Sequence, residues 1–185
     1  MIFQMPKPTT IMARSSSITN AFYNGIIPVI EPSEEEIEMT LSILEIDKNN
    51  VACCYCGDTA TEWDHLRPII KDKKPTGYIS EIANLVPCCG KCNQSKGNKN
   101  WEEWIVSSAK KSPKSRGIKG LDKKIEKIKK YEKQTCPIKI EDFEAIVGKE
   151  LWSKHLENYT TIIELMKDCQ KISNEIKEKL RLQHR

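Results

Sequence analysis

The sequence predicts an α+β fold: a short β-hairpin followed by a helix, stapled by cysteines, with several α-helices flanking it. Three observations carry this. Two C-x-x-C pairs, Cys53/Cys56 and Cys89/Cys92, bracket an interval of 32 residues. Short runs beside and within that interval, Asp64–Ile70 and Asn84–Cys88, have strand character and are separated by turn residues. Outside it, apolar residues recur at helical spacing.

Residues 1–30 show no clear period and are expected to be irregular or weakly extended, with Lys7, Arg14 and the Ser15-Ser16-Ser17 run open to a phosphate backbone. Pro32-Ser33-Glu34-Glu35-Glu36 reads as a helix start. Ser33 can cap, and the acids complement the helix dipole. Ile37, Leu41 and Leu44 carry that helix to about residue 44. In the centre, Asp64–Ile70 is expected as one strand, Pro75-Thr76-Gly77 as a turn and Asn84–Cys88 as the return strand. A helix is expected to begin between Cys92 and Lys96, with a short amphipathic one at Trp101–Ile105. Beyond a loop at 112–117, Leu121, Ile125, Ile128 and Tyr131 share one helical face. The last segment is one long helix. Its stripe runs through Leu151, Trp152, His155, Tyr159, Ile162, Met166, Cys169, Ile172, Ile176 and Leu180, and is expected to pack on the rest of the domain or to meet a second copy. The organisation is thus an N-terminal arm and helix (1–50), a cysteine-rich core (51–108) and a basic, helical C-terminal region (109–185).

Composition narrows the function. Aromatic residues make up only 6% and charged residues 30%, so the apolar core is expected to be modest. No apolar run reaches the length of a signal peptide or a membrane span, so a cytoplasmic protein is expected, with no membrane partner. In that compartment C-x-x-C pairs bind metal more often than they form disulfides. The net charge is only +4, yet between Lys110 and Lys133 eleven Lys and Arg face three acids, a local +8. Such a block suits a polyanion, or forms a solvated helix face.

Cysteines two apart wrap one tetrahedral ion, so Cys53, Cys56, Cys89 and Cys92 are expected to hold a structural zinc. Cys54 and Cys88 adjoin them, but Cys54-x-Cys56 and Cys88-x3-Cys92 fit the spacing less well. Asp64, His65, Asn84 and Asn93 are threaded through this framework. Phosphodiester hydrolysis needs a base for water and a cation for the phosphate. His65 suits the base, because a neutral imidazole accepts a proton at physiological pH. Asp64 offers a hard carboxylate and Asn93 an amide oxygen, a set that suits Mg²⁺ or Mn²⁺. Asn84 is placed to hold the loop over the strand that carries His65.

The order Asp64-His65, Asn84, Asn93, with its C-x-x-C pairs, resembles the HNH endonucleases of the ββα-metal fold. It is similar to the zinc-stapled branch whose third signature residue is Asn. The resemblance covers residues 53–99. It implies His65 as general base, Asp64 and Asn93 as ligands of the catalytic metal, Asn84 as the residue that orders the loop, and Lys96 as a lysine near the phosphate. Double-stranded DNA is the implied substrate, and sequence-specific cutting in a restriction or defence system is the expected role. A non-specific, homing or phage nuclease, or a zinc module that binds nucleic acid without cutting it, are the alternatives. Arg14, Arg67, Lys114, Arg116 and Lys119 join Lys96 as expected DNA contacts. A symmetric site would imply a homodimer.

Overall fold

The computed structural model describes residues 4–183, which form two compact units: residues 26–141, and residues 4–25 with 142–183. Helix α1 (Ser15–Asn24) belongs to the second.

The larger unit begins with α2 (Glu34–Ile43). Ser33 Oγ accepts from the Glu36 amide at 3.2 Å, and the Glu36 carboxylate accepts from the Ser33 amide at 2.8 Å. This reciprocal cap satisfies two donors that the first turn leaves open. Strand β1 (Glu62–His65) pairs antiparallel with β4 (Leu85–Cys88), with Glu62 opposite Cys88 and His65 opposite Leu85. A two-residue ladder of β2 (Ile70–Lys71) and β3 (Lys74–Pro75) lies in the excursion between them. After β4 come α3 (Gly90–Lys96), α4 (Trp101–Ile105) and α5 (Leu121–Gln134). The fold is α+β, with small antiparallel pairs set among helices.

The first strand is shorter than the expected Asp64–Ile70 and starts two residues earlier. After His65 the chain turns away: the Leu66 amide binds the Asn84 carbonyl at 2.8 Å, the Arg67 amide binds the Asn84 side chain at 2.9 Å, and Pro68 has no amide to extend a ladder. Gly77 sits at φ +98°, where a Cβ would drive into the Ile140 carbonyl, so the turn there requires glycine.

The core combines Leu44, Leu66, Val86 and Ile105 with Tyr55, Trp101, Trp104, Ile128 and Tyr131, and the six central cysteines. Tyr55 meets Trp104 edge-on, ring centres 5.1 Å apart. The Tyr131 hydroxyl reaches the Ile82 carbonyl at 2.6 Å and the Leu85 carbonyl at 2.9 Å, fastening α5 to the start of β4.

In the smaller unit, a 3-10 turn (Ile11–Arg14) leads into α1, so this stretch is helical rather than irregular. Thr10 caps the turn by accepting from the Ala13 amide at 3.2 Å. The serine run hides the helix, because serine is a weak helix former and packing supplies the stability. Phe22 and Tyr23 of α1 lie against Tyr159 of α7 (Lys149–Gln183), at 5.5 and 5.8 Å between ring centres. Helix α6 (Phe143–Val147) stacks Phe143 on Trp152. The expected stripe on α7 divides: Trp152, His155 and Tyr159 are part-buried, while Leu151, Ile162, Ile172, Ile176 and Leu180 are exposed. Among the described residues no helix is long and apolar enough to cross a membrane.

Candidate metal centre and catalytic site

Two chain reversals bring the cysteines together. The turn at 53–57 closes through the Gly57 amide on the Cys53 carbonyl at 2.8 Å, and Cys89 caps α3, with the Cys92 amide on its carbonyl at 2.9 Å. The Sγ atoms of Cys53, Cys56, Cys89 and Cys92 all lie within 4.8 Å of one another, and all four residues are buried. Cys56 and Cys89 are 3.6 Å apart. A tetrahedral zinc with Zn–S bonds of about 2.3 Å would space its sulfurs about 3.8 Å apart, so the donor set and its size fit that ion. Cys54 and Cys88 are buried beside the cluster but outside it, and Cys88 Sγ points to the Cys89 carbonyl at 3.3 Å. All eight cysteines are free thiols.

The electrostatics of the cluster also point to a cation. Hydrogen bonds from Cys56, then Cys88 and Cys92, drive Cys53 strongly toward the thiolate. Sharing with Cys53 pushes the Cys56 thiol up to about 12, and Cys92 is pushed up by the same contact first. Cys53 is thus drawn toward the thiolate at the expense of Cys56 and Cys92, and a divalent ion would stabilise thiolates at all of its sulfur ligands. Arg116 stands beside them, its guanidinium 3.4 Å from Cys92 Sγ and 2.8 Å from Asp58 Oδ2.

The second group of residues lies along β1 and α3. Residues 62 and 64 share one face of β1, and residues 93 and 96 are one turn apart on α3. Asp64, which is 5% exposed, accepts from the Tyr55 hydroxyl at 2.7 Å and pairs with the Lys96 ammonium at 3.1 Å. Burial raises the Asp64 carboxyl above its usual range, against the opposing pull of Lys96 and of the Tyr55 hydrogen bond. Lys96 also donates to the His65 carbonyl at 2.7 Å. The resemblance implies a phosphate contact for Lys96. Instead this side chain is wholly buried, and its ammonium serves the interior.

His65 is part-buried, with Nε2 2.8 Å from Ser80 Oγ. Burial first, and then the Lys96 charge, lower its pKa to about 4, so the ring is neutral at pH 7. Asn84, fully buried, receives the Arg67 amide at 2.9 Å and donates to the Arg67 carbonyl at 3.0 Å, with a longer bond to Ile79. Both ends of its amide therefore hold the loop that leaves β1. Asn93 is part-buried and donates through Nδ2 to the Glu62 carboxylate.

Of the remaining expected DNA contacts, Lys114, Lys119 and Arg14 are exposed. Arg67 is part-buried, paired with Glu132 at 3.3 Å and lying over the Tyr78 ring. Arg116 differs from the expected free cation, because its charge already faces Asp58 and the cysteine cluster.

Tyr55, Ser80 and Glu62 were not apparent as site residues from spacing alone. Tyr55 and Ser80 approach from distant turns. Only Glu62 leaves a trace in the sequence, standing two residues before Asp64 on a strand.

A family model described as HNH endonuclease matches residues 53–99. The chain is also similar to a CRISPR-associated endonuclease Cas9 of Corynebacterium diphtheriae, 34% identical over 68 residues. That alignment covers 35% of this chain and 6% of the relative, so the chain spans a small fraction of that protein's length. No solved structure matches it. The four-thiol cluster lies within residues 53–99, the segment that matches the HNH endonuclease model.

Proposed function

We propose that this protein is a metal-dependent endonuclease that hydrolyses phosphodiester bonds of double-stranded DNA. In this reading residues 51–108 carry the chemistry, with the arm and helix of 1–50 and the basic, helical 109–185 on either side. The carrying observation is the part-buried, neutral His65, held at one ring nitrogen by Ser80 and standing next to Asp64 in a family-matched core. The zinc of the Cys53, Cys56, Cys89 and Cys92 cluster is structural. The catalytic ion is Mg²⁺ or Mn²⁺, held by oxygens of Asp64 and Asn93, a hard donor set. When bound, that cation neutralises charge on the scissile phosphate and the departing oxygen.

The chain's own residues do the rest. His65 Nε2 and Ser80 Oγ share a hydrogen bond at 2.8 Å; in the tautomer that carries its proton on Nε2, Nδ1 keeps its lone pair as the acceptor for a proton from the attacking water. Lys96, on the His65 carbonyl, fixes the backbone from which the imidazole projects. Tyr55 and Lys96 hold the Asp64 carboxylate against rotation, and the long 3.3 Å approach of Lys96 to Oδ1 leaves that oxygen with acceptor capacity. Asn84 fixes the loop exit, so that Arg67 departs β1 in one direction. Exposed Lys114 and Lys119, with the lysines of α5 that follow them, offer an electrostatic track for the backbone. Sequence-specific cutting in a defence system is the finer reading. Recognition then comes from residues that reach base edges, and a homodimer serves a two-fold site.

The test is cleavage of a plasmid and of a long linear DNA with Mg²⁺, with EDTA, and by His65→Ala, the fold checked by zinc content. Discrete fragments that need both Mg²⁺ and His65 are expected, with His65→Ala slowing cleavage about 10²–10⁴-fold. A metal-dependent smear would replace the sequence-specific reading with a non-specific nuclease. Zinc-loaded protein that cuts neither DNA nor RNA would leave a binding module. Ser80→Ala should lower the cleavage rate about 10-fold while leaving the melting temperature near wild type, because it releases the ring tautomer and not the core; an unchanged rate would show that Ser80 does not set the tautomer.

A further inference from the structure

The Asn93 side chain has one face that can hold a cation, its carbonyl oxygen, and one that cannot, its amino group. Rotation by half a turn about the last bond exchanges them. An Asn at a metal site therefore functions only if something sets that rotation. Glu62 is the neighbour that does so here. Its carboxylate accepts from Asn93 Nδ2, and an ionised carboxylate can only accept. The amino group must therefore face Glu62, and Oδ1 is turned the other way.

Glu62 is exposed, and its place on β1 brings its carboxylate to Asn93 of α3. It lies on the same face of β1 as Asp64, one rung nearer the cysteine cluster, opposite Cys88. Its Oε1 lies over Gly90, 2.9 Å from where a Cβ would stand. The Gly90 amide binds the Thr61 hydroxyl at 3.3 Å, tying the start of α3 to the residue before Glu62. Two parallel links thus join β1 to α3: Asp64 to Lys96 and Glu62 to Asn93. The first fixes a carboxylate, and the second fixes an amide.

We propose that Glu62 is a positioning residue for the catalytic metal: it orients the Asn93 amide so that Oδ1, and not Nδ2, is presented to the ion. This rests on the proposed role of Asn93 as a ligand.

The experiment is a cycle of four full-length proteins: wild type, Glu62→Ala, Asn93→Asp, and the double variant. Mn²⁺ binding to each is titrated by electron paramagnetic resonance without DNA, with zinc content and melting temperature as fold controls. Removing an outer partner of a metal ligand typically costs 10–100-fold in affinity, so Glu62→Ala should weaken Mn²⁺ binding by roughly 10-fold or more. In the Asn93→Asp background the sign should reverse. A carboxylate presents the same oxygen either way round and needs no orientation, and Glu62 is then only a like charge beside it. Removing Glu62 there should tighten binding. Weakening in both backgrounds would overturn the proposal, because it would make Glu62 a ligand itself or a structural support. No change in the wild-type background would also overturn it. If wild type binds no Mn²⁺ and cuts nothing, the metal reading of Asn93 fails and takes this inference with it; binding by wild type that Glu62→Ala does not alter removes this inference alone. Should the alanine variant fail to fold, Glu62→Gln keeps the shape and can donate to Oδ1. The same weakening is then expected.

Discussion

Cys92→Ser should abolish cooperative unfolding of residues 26–141, and stripping metal from the wild-type protein with a chelator should do the same. Six of the buried core residues are cysteines, and four of their sulfurs face one point. Without a cation, Cys56 and Cys92 are buried thiols pushed up by the Cys53 thiolate they share hydrogen bonds with, and the Arg116 guanidinium stands beside that charge. Structural zinc contributes an apparent 10–16 kcal/mol in small zinc modules, about as much as the whole stability of an ordinary domain. The measurement is a thermal melt followed by fluorescence of the buried Trp101 and Trp104, with zinc counted by elemental analysis. Cys136→Ser and Cys169→Ser change exposed thiols and should melt as wild type does. A Cys92→Ser protein that lacks zinc but melts at the wild-type temperature would dismiss the four-thiol centre as a stabilising element.

Lys96→Met should be the most damaging single change outside the cysteines. The ammonium is wholly buried and is the cationic partner of a carboxylate that is itself 5% exposed. Removing one member of a buried pair leaves the other charge uncompensated, at a cost of about 3–5 kcal/mol. Replacing both members by apolar groups is far milder, so Asp64→Leu combined with Lys96→Met should recover a good part of that loss. Urea unfolding of the two single variants and the double variant measures the coupling. If the two single costs simply add, the ion pair is not a unit. Neither Asp64 variant should cleave DNA, whatever its stability, because Asp64 is proposed as a ligand of the catalytic ion.

Much of the centre was legible in the sequence because its signals are local. The two C-x-x-C pairs picked out the four sulfurs that converge, and the two-residue rule set aside Cys54 and Cys88. The cap at Ser33 and the period of α5 depend on neighbours three and four residues away, which a sequence displays directly. Lys96 was misread for the opposite reason. Surface and interior lysines look alike in one dimension, and only the closure of β1 on α3 shows that its ammonium faces Asp64. The same holds for Tyr55, Ser80 and Glu62, whose partners are 9, 15 and 31 residues away. Helix α1 was missed because its stability comes from Tyr159 and His155, far along the chain, and not from its own serines.

The fastening of α5 to β4 by Tyr131 has a practical consequence for anyone who would transplant the metal centre. The family-matched stretch ends at residue 99, yet Trp101, Trp104, Ile105, Ile128 and Tyr131 close the hydrophobic interior, and Leu44 closes it from the other side. Cut at the family boundaries, the excised cassette would expose Tyr55, Leu66 and Val86 to water and leave the Ile82 and Leu85 carbonyls without the hydroxyl that binds them. A fusion or graft should therefore take the compact unit of residues 26–141, with the lysine-rich helix as part of the scaffold.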